Sequence, residues 1–162
     1  MFRPIRDDVV TGRLSPMTTV TPQLIATARL VVETRGAGFT DLTPEAARFL
    51  DEAAAGEGAL YLFLRHTSAS LVIQENADPD VRTDLSTALE RLAPADAGWV
   101  HDTEGPDDMP AHVKTMLTGV SLHVPVIGGT LALGTWQGLY LVEHRTRPHR
   151  REIVVQFAGS RR

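Results

Sequence analysis

Residues 59–64 read Ala-Leu-Tyr-Leu-Phe-Leu, an unbroken apolar run with Gly56 and Gly58 before it and His66 after it. The run is too short for a core helix and shows no polar alternation. It therefore predicts a strand buried on both faces, the central strand of a sheet.

The segments around it divide into strands and helices. Residues 23–34 are β-rich and end at Arg35-Gly36-Ala37-Gly38, a strand followed by a turn. Thr43-Pro44-Glu45 has the composition of a helix start, with Thr43 as N-cap, Pro44 at the first helical position and Glu45 complementing the dipole. Phe49 and Leu50 would face the core, and Gly56 and Gly58 would end this helix. Residues 71–73 continue as strand into Glu75. Asp78-Pro79 opens a second helix, whose residues Val81, Leu85, Leu89 and Leu92 recur every three to four places. Pro94 closes it, and a short strand around Trp99 and Val100 is expected before His101. Pro110 starts a third helix that Gly119 stops, with Val113, Met116 and Leu117 inward. The last third reads as a β-meander over residues 120–126, 131–136, 139–143 and 153–157, with a Gly128-Gly129 turn. The fold class is α+β, with strands outnumbering helices.

Composition narrows the function classes. The 162 residues fit one domain over 17–162 behind a mobile tail over 1–16. There is no cysteine, hence no disulfide framework, thiolate metal site or Cys nucleophile. A formal charge of −4 argues against nonspecific nucleic-acid binding. No apolar run is long enough to cross a bilayer, and no signal-peptide pattern opens the chain; a cytoplasmic protein without membrane partners is expected.

The densest concentration of reactive groups is residues 101–114, His-Asp-Thr-Glu-Gly-Pro-Asp-Asp-Met-Pro-Ala-His-Val-Lys. It offers imidazoles, carboxylates and a lysine, the group types that bind a metal or a phosphorylated substrate. His66, His101 and His112 stand at three element ends, where they can converge as metal ligands with Asp107 and Asp108, or as general acid and base with Glu75. Thr67 and Ser68 offer hydroxyls and N–H groups to an anion, and Lys114 and Arg145 offer charge to phosphate. Trp136 and Gln137, between Gly134 and Gly138, offer a stacking surface and an amide. His123 alternates with Leu122 and Val124 and is expected as a half-buried packing residue.

His66-Thr-Ser-Ala-Ser-Leu, Glu75-Asn-x-Asp-Pro, the 101–114 segment and Gly134-Thr-Trp-Gln-Gly with the later Glu143-His-Arg, taken together and in this order, resemble the YjbQ family, the secondary thiamine-phosphate synthase enzymes. The resemblance covers about residues 20–160. It implies an α+β fold built on a β-sheet sandwich and a homotrimer with polar pockets near subunit boundaries. It also implies a low-level reaction joining hydroxymethylpyrimidine diphosphate to thiazole phosphate with release of diphosphate. Carried over by position, His66, Glu75, His101, Asp107, His112, Trp136 and Gln137 occupy the family's polar places. The cofactor expectation is a divalent metal, Mg or Zn, or otherwise none, and the expected substrate is a phosphorylated small molecule. Two other readings remain open from the residues: a metal-dependent hydrolase using the His cluster, and a trimeric module that binds a phosphate metabolite without turnover.

Overall fold

The computed structural model of the chain describes residues 12–162. Of the expected mobile tail, residues 1–11 lie outside the described residues, and 12–23 run exposed without regular structure. The elements that follow are β1 (Leu24–Glu33), β2 (Gly38–Asp41), α1 (Thr43–Glu52), β3 (Ala55–Leu64), β4 (Ala69–Glu75), α2 (Pro79–Leu92), α3 (Asp108–Thr118), β5 (Ser121–Ile127), β6 (Thr130–Leu131), β7 (Gln137–Glu143) and β8 (Arg150–Arg161). All strand pairs are antiparallel. They form a five-stranded sheet in the order β1-β8-β3-β5-β6 and a three-stranded sheet in the order β2-β7-β4. The expected α+β sandwich is the architecture found. Among the described residues no helix is long and apolar enough to cross a membrane.

The core joins the two sheets. Leu60, Leu62 and Leu64 of β3 and Ile153, Val155 and Phe157 of β8 belong to one buried cluster with Leu71 of β4, Leu139 and Leu141 of β7, and Leu42 and Leu50 beside and within α1. Each such Leu or Ile contributes about 2 kcal/mol by leaving water, which makes this alternation the main force fixing the register.

The 59–64 run is the middle strand of its sheet, as expected, but it is buried on one face only. Tyr61 and Phe63 are 40% and 51% exposed. The second sheet covers one side of β3, and the other carries an outward apolar row with Ile25 and Val31 of β1, also exposed. His123 shares that outer face: it is exposed, not half-buried, and its ring stands edge-on to Tyr61 at 5.2 Å.

Several local expectations change for identifiable reasons. Thr43 is the first helical residue rather than the cap, because its hydroxyl accepts from the Leu139 N–H of β7 at 2.9 Å. Gly56 and Gly58 do not end α1, which stops at Glu52 with the reversal at Ala54, φ +49°. They belong to β3 where it bulges against β8. A Cβ on Gly58 would lie 2.3 Å from the Ala158 carbonyl oxygen, so only glycine permits that approach. No strand forms at Trp99 and Val100; Trp99 Nε1 donates to the Pro94 carbonyl at 2.9 Å and Val100 is fully exposed. The C-terminal third is not one meander. β5, β6 and β8 belong to the larger sheet and β7 to the smaller, so the chain crosses the core twice.

The helices differ from expectation in which face they bury. Asp78 caps α2 as expected, accepting from Asp80 N–H at 2.9 Å, yet no residue of α2 is fully buried and Leu92 is 65% exposed. α3 begins at Asp108, two residues before Pro110, and buries Asp108, Pro110, Ala111, Lys114 and Thr115. Met116 and Leu117 face outward at 79% and 56% exposure. The polar face of α3 turns inward because the protein interior supplies charged partners for it.

Candidate functional site

The start of α3 carries a compact cluster. Asp108 is 2% exposed, and its Oδ2 lies 2.8 Å from His101 Nε2 and 3.3 Å from His112 Nε2. The helical i, i+4 spacing puts Asp108 and His112 on one face. His101 arrives from the loop between α2 and α3, and the two imidazole centroids are 5.7 Å apart. One ligand atom from each of His101, Asp108 and His112 lies within 4.8 Å of the others.

The hydrogen bonds around the cluster fix its chemistry. His112 Nδ1 lies 2.9 Å from the Thr67 carbonyl. A carbonyl only accepts, so Nδ1 carries a proton, and Nε2 faces Asp108 Oδ2 with a proton of its own or with a lone pair. A lone pair and a carboxylate oxygen facing each other at that separation repel unless a proton or a cation lies between them. This arrangement fits a divalent ion, whose imidazole ligands characteristically donate their other N–H to a carbonyl or carboxylate. Two imidazoles and one carboxylate favour Zn, Mn, Fe or Ni over Mg, which prefers an oxygen shell.

Arg145, at the end of β7, holds the other side of Asp108. Nη1 donates to Asp108 Oδ1, Nη2 to the Glu104 carbonyl at 2.7 Å, and Nε lies 3.3 Å from Asp107 Oδ1 without hydrogen-bond alignment. Arg145 was expected to bind substrate; it is instead a buried clamp joining the loop that carries His101 to the start of α3. Asp107 is drawn away from the metal role expected of it. Its Oδ2 accepts from the Thr146 N–H at 2.7 Å and hydroxyl at 2.8 Å. Burial pushes the Asp107 carboxyl up, but the Thr146 donors and the Arg145 charge outweigh it and hold the group down at about 2.

The remaining expected site residues divide into neighbours and outliers. His66 stands near, but its Nε2 accepts the Glu152 N–H at 2.9 Å and is not free to ligate a metal with His101 and His112. Burial, aided by the Arg151 charge, lowers its pKa. Thr67 and Ser68 serve through backbone carbonyls, to His112 and to Arg151 Nη2 respectively. Lys114 is 3% exposed and pairs with Glu90 of α2. Glu75, Trp136 and Gln137 lie at the opposite end of the smaller sheet. The β4/β7 register pairs Ala69 with Glu143 at the cluster end and Glu75 with Gln137 at the other, about 20 Å away along the strands.

The Glu143-His-Arg motif sits in a buried polar network with Arg151, Thr34 and Ser70. Glu143 and Arg151 form an ion pair with side chains 1% and 4% exposed, and Thr34 Oγ1 donates to Glu143 Oε2 at 2.9 Å. Burial raises the Glu143 pKa, and the Arg151 and Arg145 N–H donors reverse that to a net lowering. His144 Nε2 lies 2.8 Å from Ser70 Oγ, and burial followed by the Lys114 charge brings its pKa down to about 4. The alternation of Arg151 with Ile153, Val155 and Phe157 was the available signal, since an Arg in the inward register of a strand requires a buried partner.

Known proteins share this fold and sequence. The family model described as UPF0047 protein YjbQ-like matches residues 28–160. The UPF0047 protein sll1880 of Synechocystis is 47% identical over 132 residues, covering 81% of this chain and 90% of that protein. The UPF0047 protein YjbQ of Escherichia coli O157:H7 is 41% identical over 132 residues, covering 81% and 96%. The crystal structure of an uncharacterized conserved protein of the yjbq/upf0047 family from Clostridium acetobutylicum superposes with a TM-score of 0.74 at 34% identity, covering 80% of this chain and 98% of that one. The chain belongs to the UPF0047 YjbQ-like family.

Proposed function

We propose that His101, Asp108 and His112 form a divalent-metal centre and that the protein is a metal-dependent hydrolase of a phosphorylated small molecule. The observation that carries this reading is the convergence of one ligand atom each from His101, Asp108 and His112 within 4.8 Å, with His112 Nδ1 held by the Thr67 carbonyl so that Nε2 is turned to Asp108. An ion bound there supplies a Lewis acid for a phosphoryl oxygen. The protein's own residues do the rest: Thr67 orients His112, Arg145 orients Asp108, and the His101 loop closes the third side. Beside them opens a cleft of about 640 Å³ lined by Thr103, Glu104, Asp107, Thr146 and Arg147, with the exposed Arg147 available to phosphate oxygens.

The thiamine-phosphate synthase reaction implied by the family resemblance would draw on the same groups, with diphosphate as leaving group. It is the second reading, because Mg²⁺ holding a diphosphate needs carboxylate oxygens and Asp107 is already engaged by Thr146 and Arg145. A trimer is the assembly we propose, since Ile25 and Val31 of β1 with Tyr61 of β3 offer an outward apolar face to another copy.

Elemental analysis after reconstitution with Zn, Mn, Co, Ni or Mg, followed by 4-nitrophenyl phosphate hydrolysis, tests the reading. We expect stoichiometric transition metal, with affinity lost by about 100-fold or more in Asp108→Asn and His112→Gln. A wild-type protein that takes up no ion sinks the metal centre. Uptake of Mg²⁺ alone, with turnover of the two thiamine-phosphate precursors, transfers the proposal to the synthase.

A further inference from the structure

A groove at the end of β3 shares His112 with the metal cluster. It is an open depression of about 360 Å³ between Phe63, His66, Thr67, His112, Thr115 and Met116, a volume within the range of small-molecule sites. Phe63 and Met116 are large apolar side chains left 51% and 79% exposed, one on a strand and one on a helix, so the groove offers apolar surface that the chain itself does not cover. The charge on its rim is already matched, since Arg65 is paired with Glu152.

Two imidazoles define what such a groove recognises. Because Glu152 N–H donates to His66 Nε2, the neutral His66 ring carries its proton on Nδ1, which has no hydrogen-bond partner among the described residues. His66 lines the groove and is half-buried, and a donor there without a partner favours an occupant that brings an acceptor. His112 is the wall shared with the cluster, its Nδ1 tied to Thr67 and its Nε2 turned to Asp108. A molecule lying in the groove therefore ends against the candidate metal ligands.

We propose that this groove is the subsite for the organic part of the substrate, an aromatic or heteroaromatic ring bearing a hydrogen-bond acceptor. Phe63 and Met116 flank the ring, His66 Nδ1 donates to its acceptor, and the anionic group of the same molecule reaches the cluster of His101, Asp108 and His112. Only this last step rests on the metal reading; ring recognition stands on the groove alone.

The test uses the full chain, metal-free and zinc-loaded, with phenylphosphonate, 3-pyridylphosphonate and methylphosphonate as probes and amide and methyl chemical shifts as readout. Burying a phenyl group predicts binding of phenylphosphonate about 10-fold or more tighter than methylphosphonate, with shifts centred on Phe63, Thr67, Thr115 and Met116. Met116→Glu, a change at an exposed position, should bring the two affinities together. His66→Phe should remove the added preference for the pyridyl acceptor while keeping that for phenyl. Equal affinity for phenyl and methyl probes in the metal-free wild type overturns the proposal. So do shifts that map elsewhere, and so does a groove silent to all probes in an oligomer whose Phe63 and Met116 are shielded by a second copy. Failure to bind zinc removes the metal centre but leaves the metal-free phenyl preference to decide the groove.

Discussion

The two ends of the smaller sheet handle polar side chains in opposite ways. At the Glu143 end, charged groups from distant segments are buried against one another: Arg145 with Asp108, Arg151 with Glu143, Thr34 with Glu143, His144 with Ser70. At the Gln137 end, polar side chains serve the nearby backbone. Glu75 Oε1 accepts from Asp78 N–H at 3.3 Å, Gln137 Oε1 from Gly134 N–H at 2.8 Å, and Asn76 Nδ2 donates to the Gln137 carbonyl at 3.3 Å. A charge removed from water must find its counter-charge, and long-range pairs result. An exposed side chain has water as a partner and is free to shape a turn. The buried end can present groups in fixed protonation and orientation, and the candidate chemistry lies there.

The largest test of this contrast is Arg145→Met. It leaves Asp107 and Asp108 without their shared cation, and removing one member of a buried pair typically costs about 3–5 kcal/mol. Equilibrium urea unfolding should show that loss, and metal affinity should fall with it because Asp108 loses its fixed orientation. Arg145→Lys keeps a charge but cannot span Asp108, Asp107 and the Glu104 carbonyl, so an intermediate loss is expected. A stability change under about 1 kcal/mol in Arg145→Met would show that the buried network is not what holds this end together.

Acid should act on the same end next. His144 has a pKa near 4 in the fold, against 6.5 for the free side chain. The unfolded chain therefore binds the proton first, and the stabilisation is complete above pH 6.5 and lost as pH falls from there through 4. A shift of that size corresponds to at most about 3 kcal/mol. His66, also lowered, adds to the loss in the same direction. His144→Phe should flatten the decline in urea midpoints between pH 6.5 and 4. Asp107 reports separately: held at about 2 against 3.8, its contribution is present above 3.8 and lost only below it. A decline in the upper window that is unchanged by His144→Phe would assign it to another group.

What could be read in the sequence follows from the same contrast. The strand core was legible because period-2 apolar residues such as Ile153, Val155 and Phe157 declare an inward face. His101, Asp108 and His112 were legible as a group because a short stretch holds all three; that Asp108 and His112 stand one helical turn apart was not, since the helix was expected only from Pro110 and begins at Asp108. Which carboxylate faces the imidazoles could not be read either, since Asp107 and Asp108 are adjacent and only their partners Arg145 and Thr146, in the turn after β7, separate them. Glu75, Trp136 and Gln137 looked like site residues by type, but the antiparallel register of β4 and β7 carries them to the far end. The sheet that β7 joins was equally hidden, because a meander and a pair of core crossings share the same alternation.

The far end supplies the small effects that complete the comparison. Glu75→Ala removes an acceptor for Asp78 N–H beside the α2 cap and should cost about 1 kcal/mol, with metal content unchanged. Trp136→Ala should cost less still, within about 0.5 kcal/mol, because the ring is 65% exposed and buries little on folding of the single chain. That last value is sensitive to assembly. If Trp136→Ala lowers the unfolding midpoint well beyond that margin, and does so more at high protein concentration than at low, the indole is covered in solution by another copy. The far end would then be polar and local within one chain but apolar and shared between chains, and its difference from the buried end would hold only for the monomer.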